Sequence, residues 1–452
     1  MRAGRTGRLA FLAGAVALAL AGASASSAAA PRSHPISVDP QMVQMPGTPG
    51  GSAVHFNCQD RPIDASQGLK CYGPAQIQAA YGYSGLLASG IDGSGKTIVI
   101  VDAFSNPYIA GDLGLEDASF GLPAPPSFTT LAEPNAVPAF DPNDGNQVGW
   151  AEEITLDVEW AHVMAPGANI VLAEARSNND ADLLATTKYV VDHHIGDVIS
   201  QSFGEAESCM DPSLLAQQHA LFAKAVREGY TIFASSGDSG AAQFNCDGTG
   251  AIEAASTPAS DPNVTAVGGT TLNADGETGS YIGETAWTEI LGCNPPAIDY
   301  PFDVNCSGGG FSTIYGRPSW QASQVKSHAR GVPDVAYNAG VNGGVLTVCS
   351  VCTGGTPAYF LFGGTSAGSP QWAALIADAD QMAGHDLGNI DRALYQIGQA
   401  PPHAAADLHD VVTGNNDVAE IGGQGYDAGP GWDPVTGLGT PNAANLLPAL
   451  AK

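Results

Sequence analysis

The hydrophobic pattern divides the chain into short apolar runs alternating with longer amphipathic ones. Residues 97–102, Thr-Ile-Val-Ile-Val-Asp, form a continuous apolar run ending in an acid, which is the pattern of a strand buried on both faces. Residues 169–173, 198–203, 231–235 and 264–267 read the same way. Between them, residues 182–193 have helical periodicity. Asp211-Pro212 opens a further helix as cap and first residue, and Gly229 closes it. Strands alternating with helices predict an α/β fold with a mostly parallel central sheet covered by helices on both faces. Ligands of such sheets bind at the carboxyl ends of the strands, and Asp102, Asp238 and Ser366 all fall just past predicted strand ends. From 271 to 320 the pattern degrades into glycine- and proline-rich loops, read here as surface elaboration. Residues 410–439 are also loop-like, and acidic.

The first residues follow a different logic. Arg2, Arg5 and Arg8 precede an apolar run from 9 to 21, and Ala23-Ser24-Ala25 offers a cleavage site, with Ala28-Ala29-Ala30 as a second. Residues 1–25 therefore read as a secretory signal peptide, and the protein as secreted. Residues 26–70, rich in Pro, Gly, Ser and Gln, read as an extended arm, and 71–452 as one large domain. No later run is long and apolar enough for a membrane anchor.

The net charge of -29 makes nucleic acid and anionic membranes poor partners. The eight cysteines are even in number, as disulfides require in an exported chain. Neighbours in sequence close short loops at least entropic cost. The expected pairs are thus Cys58–Cys71, Cys209–Cys246, Cys293–Cys306 and Cys349–Cys352. The last has the spacing of a redox or zinc motif but stands alone, so it reads as a small structural disulfide.

Three stretches carry candidate chemistry. Residues 360–376 run from apolar positions through Gly363-Gly364 to Thr365-Ser366 and into a helical pattern after Pro370. Ser366 there is either a helix cap or a nucleophile. Glu153 and Asp157, four apart on a predicted helix, share a face. They are either a solvated acidic stripe or, if buried, a pair sharing a proton, able to act as base toward a serine. Asp238, in Ser236-Gly237-Asp238-Ser239-Gly240, is either a turn cap or a protonated acid that donates to an oxyanion. The ten histidines are scattered; His162 reads as a packed or capping residue. No His-Gly-Thr-His segment lies between Asp102 and Ser366. Gly-Asp-Ser-Gly, with Ser239 as the serine, is also a fragment of the chymotrypsin motif, but the histidine segment that fold needs is missing.

Together these stretches resemble the sedolisin family, the serine-carboxyl peptidases. The resemblance rests on Glu153-x-x-Leu156-Asp157, Ser236-Gly237-Asp238-Ser239-Gly240 and Gly364-Thr365-Ser366-x-x-x-Pro370. Residues 264–270, 308–312 and 332–335 add to it in the same order. It implies a subtilisin-like α/β fold and a monomer acting on protein or peptide substrates. Ser366 would be nucleophile, Glu153 base, Asp157 its orienter and Asp238 the oxyanion donor. It also implies a calcium site built from Asp410 and Asp433 carboxylates with the carbonyls of Val411, Gly429 and Gly431, an oxygen shell that suits Ca2+. Members of that family carry a long pro-domain, for which the arm of this chain leaves no room. Two other readings stay open. One is an esterase using the Gly-Thr-Ser-Ala-Gly elbow with Asp407 and His409; the other is an inactive peptide-binding relative.

Overall fold

The chain divides into two units, residues 1–32 and 33–452, and every element below belongs to the second. A computed structural model describes Met1 and residues 35–38, 40–51, 55–63, 68–290, 304–399 and 404–452. The signal-peptide segment and Cys293 lie outside the described residues.

The strands are β1 (Met42–Met45), β2 (Thr97–Ala103), β3 (Phe128–Leu131), β4 (Asn169–Ala175), β5 (Val198–Gln201) and β6 (Thr231–Ser235). They continue with β7 (Thr265–Ala274), β8 (Tyr281–Ala286), β9 (Val335–Asn338), β10 (Gly344–Cys349) and β11 (Ala358–Phe362). The helices used below are α1 (Ile109–Phe120), α2 (Gly145–Met164), α3 (Asp180–Asp192), α4 (Pro212–Arg227) and α5 (Gly368–Ala383).

The central sheet runs β8-β7-β6-β5-β2-β4-β3, with β9 also paired to β7. All its pairings are parallel except β7 with β8. Alternate residues of β2 feed two separate cores, because side chains of a strand point to opposite faces. Ile98 and Ile100 pack with Ile154, Leu156 and Trp372 of α2 and α5. Val99 and Val101 pack with Leu183, Val190, Leu221 and Phe222 of α3 and α4. The continuous apolar runs seen in the sequence are the mark of this two-sided burial.

A second sheet, β1-β11-β10 with the two-residue strand Cys71–Tyr72, is mostly antiparallel. It changes two expectations. Residues 42–45 of the arm are an edge strand rather than a free extension. The strand leading to Ser366 is β11 of this second sheet, not a strand of the parallel one. Asp102 likewise lies within β2, not past it. The stretch 271–320 also departs from the surface-loop reading. β7 runs on to Ala274, β8 pairs back on it, and Trp287 is fully buried. Its glycines permit close approach. A Cβ on Gly308 would lie 2.2 Å from the Ser236 carbonyl oxygen, and one on Gly309 would lie 2.0 Å from that of Pro434.

Cys58–Cys71, Cys209–Cys246 and Cys349–Cys352 are bonded as expected. Peptide mapping without reductant should recover the fourth pair, Cys293–Cys306; a crossed pair would refute the sequential pattern.

One cluster of acids is buried away from Ser366. Asp112, Glu116 and Asp117 of α1 face Glu159 of α2 beneath the end of β10, each less than a tenth exposed. Val348 N donates to Glu159 Oε2 at 3.0 Å and Ser350 N to Asp112 Oδ2 at 2.8 Å. His162 Nε2 lies 3.0 Å from Asp117 Oδ1. Burial, then neighbouring carboxyls, raises the pKa values of Glu116 and Glu159 well above the ordinary carboxyl range.

Candidate active site

Helix α2 begins at Asp144, whose side chain accepts from Asn146 N at 3.0 Å. From Gly149 to Met164 it is buried on all sides, which rules out a solvated acidic stripe. Glu153 is 1% exposed and Asp157 0%. An interaction with the Ser366 side chain opposes the rise of the Glu153 pKa. Asp157 Oδ1 accepts from Ser202 Oγ at 2.9 Å. Burial raises both pKa values well above the carboxyl range, and neighbouring carboxyls, among them Asp102 for both, add to it. Asp102 itself is pushed up to about 8 by burial and then by Glu174. Glu153 Oε1, Asp157 Oδ2 and both Asp102 oxygens are buried without a hydrogen-bond donor. Acids so placed keep protons, because a bare buried carboxylate costs several kcal/mol.

Ser366 sits in a short 3-10 turn, Thr365–Ala367, between β11 and α5. Gly364 precedes it at φ 99°, in the left-handed region. A Cβ there would lie 2.6 Å from Asp238 Oδ2, so the glycine lets the carboxyl reach the turn. Thr365 N and Oγ1 donate to Asp238 Oδ1 at 2.8 and 2.6 Å, and Gly237 N donates to Thr365 Oγ1 at 3.2 Å. Asp238 Oδ2 thus remains to carry a proton. Burial raises the Asp238 pKa against the opposing Thr365 bonds. From below, the Asp238 loop is braced by Gly308 N, which donates to the Gly237 carbonyl at 2.7 Å.

All four predicted site residues therefore meet around one turn. Sequence reasoning missed Thr365, which fixes Asp238, and Ser202, which fixes Asp157. Ser202 had a signal, a hydroxyl at the end of an apolar run. His162 is packed as expected, against the Pro123 carbonyl at 2.8 Å and Asp117. His409 stacks on Tyr281 at 3.9 Å, in a ribbon with Thr440, so the esterase arrangement is not assembled. Asp334, in the 332–335 motif, is structural: it pairs with fully buried Arg330 and accepts from Tyr395 Oη at 3.0 Å.

Among the expected calcium ligands, Asp410 contacts Gly431 and Asp433 contacts Gly429 in another loop. Gly431 N donates to Asp410 Oδ2 and Gly429 N to Asp433 Oδ2, both at 3.0 Å. Thr436 Oγ1 lies 3.4 Å from the Val411 carbonyl and 3.1 Å from Asp433 Oδ2. Among the described residues no group of three or more His, Cys, Asp or Glu is arranged for a metal. This loop offers two carboxylates and otherwise carbonyls, a set that fits a hard cation.

A model of the subtilase family matches residues 142–390. Kumamolisin from Bacillus sp. (strain MN-32) is 36% identical over 389 residues, covering 84% of this chain and 63% of kumamolisin. Sedolisin from Pseudomonas sp. (strain 101) is 34% identical over 280 residues, covering 61% of this chain and 44% of sedolisin. The solved structure of Pseudomonas sedolisin, a serine-carboxyl proteinase complexed with two molecules of pseudo-iodotyrostatin, superposes with a TM-score of 0.71 at 28% identity. It covers 84% of this chain and 98% of that one. The chain belongs to the subtilases. Within them it is a member of the sedolisin family, whose curated relatives it spans over less than two thirds of their length.

Proposed function

We propose that the protein is a secreted, acid-acting serine-carboxyl peptidase that hydrolyses peptide bonds through an acyl-enzyme on Ser366. The observation that carries this reading is that Ser366 interacts with a buried glutamate, Glu153, with no histidine among the described residues taking that place. Glu153 accepts the Ser366 proton as Oγ attacks the substrate carbonyl, then returns it to the leaving amine. Asp157 orients Glu153 and shares its remaining proton. Protonated Asp238 donates to the oxyanion. Water, deprotonated by Glu153, then releases the acyl group. Titration with an acid-stable peptide aldehyde should block one site per chain; no stoichiometric binding at acid pH would overturn the proposal.

The Asp410–Asp433 loop would hold Ca2+, which supplies charge to two carboxylates that share one turn. Asp433 is already pushed up to about 6 by burial. Chelator is therefore expected to lower the melting temperature, and Asp433→Ala to abolish that sensitivity. An unchanged melting curve with no bound calcium by elemental analysis would exclude the site.

A further inference from the structure

Two serines at the end of β5 reach the start of α5. Ser200 lies in the strand and Ser202 just past it, both buried. Alternate residues of extended chain point to one side, and these two meet the backbone on either side of Ala367 and Gly368. Ser200 Oγ lies 2.8 Å from Ser369 Oγ. Ser202 Oγ lies 2.9 Å from Asp157 Oδ1 and 3.4 Å from the Ser366 carbonyl oxygen.

Pro370 leaves that carbonyl open to Ser202. In an α-helix a carbonyl accepts from the N–H four residues on, and proline has none. The Ser366-x-x-x-Pro370 segment therefore lacks the helical donor that would compete for this oxygen. A serine hydroxyl has one proton to donate. Ionised Asp157 and the Ser366 carbonyl are both acceptors, and the shorter distance directs that proton to Asp157. When Asp157 carries a proton on Oδ1, it can donate to Ser202 Oγ instead. The Ser202 proton then turns to the carbonyl. The groups that act on Asp157 are Asp102 of β2 and Glu153 of its own helix. Asp238 and Glu152 act on Glu153, and Glu174 of β4 on Asp102. All five are acids, so each opposes a second negative charge beside Ser202.

Resting on the peptidase reading, we propose that Ser202 is a positioning residue whose single hydroxyl proton goes to Asp157 when that carboxyl is ionised and to the Ser366 carbonyl when it is protonated. The turn that bears the nucleophile is thereby braced according to the charge of its acid pair. Ser202 acts through Asp157 and a backbone carbonyl, not on the reacting oxygen. Removing its hydroxyl takes a donor from ionised Asp157, so the Glu153–Asp157 pair binds its second proton more readily. The acid limb of the rate profile then moves to higher pH.

The test compares full-length Ser202→Ala with the parent. The acid limb of its kcat/KM profile should move up by about one pH unit, the scale of one hydrogen bond to a charged group. Its kcat at the optimum should fall about tenfold with KM nearly unchanged, because the turn is misplaced while substrate binding is not. Ser202→Thr keeps the hydroxyl and should restore both. Should that variant not fold, Ser202→Cys, a weaker donor close to serine in size, should fall between parent and Ser202→Ala. Parental limb and kcat in Ser202→Ala would overturn the proposal while leaving the peptidase reading intact. So would a slower variant whose limb has not moved, the mark of a packing role, or a moved limb with parental kcat. Absence of hydrolysis by the parent would instead sink the peptidase reading. The carboxyl 13C resonance of Asp157, assigned with Asp157→Asn, would then decide. A titration midpoint about one unit higher in Ser202→Ala supports the proposal, and an equal midpoint overturns it.

Discussion

Ser366→Ala, Glu153→Gln and the double variant should all lose peptide hydrolysis to about the same extent, on the order of 10⁴-fold or more in kcat/KM. On the proposed mechanism the two residues act as one unit: the hydroxyl is a poor nucleophile without its base, and the base has no task without the hydroxyl. Their losses therefore should not add. Both changes are close to isosteric in a packed site, so melting temperature at acid pH should barely fall; for Glu153→Gln the loss of a buried titrating group should even ease folding at higher pH. Single-turnover kinetics on purified variants, with circular dichroism for fold, makes the comparison. A double variant much slower than either single would show that the residues work independently.

The second large effect is in pH. Glu153, Asp157 and Asp102 face one another and titrate together, so the limbs of the kcat/KM profile belong to the group, not to one residue. At the acid end the Glu153–Asp157 pair gains its second proton and no base remains. As pH rises the pair loses its shared proton and Asp238 loses the proton it donates. Burial raises all of these constants above ordinary carboxyl values, which moves both limbs upward, and the proposed carboxyl mechanism expects the optimum to stay in acid. A histidine base, with an ordinary pKa of about 6.5, would place it near neutrality instead. Asp238→Asn keeps a neutral donor at that position, so it should cost about tenfold at the optimum and flatten the alkaline limb. Asp238→Ala removes the donor and should cost about 10²- to 10³-fold. A maximum at or above pH ~7 in the parent would refute the carboxyl mechanism.

Much of this site was legible in the sequence because its parts are local. The strand–Gly-Gly–Thr-Ser–helix pattern around Ser366 and the four-residue spacing of Glu153 and Asp157 both survive translation into three dimensions. What the sequence alone left open was burial. Two acids on a helix are a solvated stripe or a shared-proton pair depending on whether that helix is covered, and the second sheet and α5, which cover α2, are distant in sequence. The same reason hid the 271–320 stretch. Its glycines look like loop composition, yet Gly308 and Gly309 are there because neighbouring carbonyls leave no space for a side chain. The contacts of Ile36 and Gln41 were invisible for a further reason: a short polar arm carries no periodicity, and their partners, Asn178, Trp150 and Gly363, are far apart along the chain.

The acid cluster between α1 and α2 sets the terms on which this scaffold could be engineered. Glu116 and Glu159 are neutral in acid and support the packing of both helices there. Because folding raises the constants of Glu116 and Glu159, the folded state binds more protons than the unfolded chain, and stability drains away as pH climbs from the unfolded value of about 4.3 toward the raised one. A designer wanting a neutral-tolerant version would gain little at the reactive serine. The productive edits are acid-to-amide exchanges at Glu116 and Glu159, which install permanently the uncharged form that protonation now supplies, at positions where catalysis has nothing to lose.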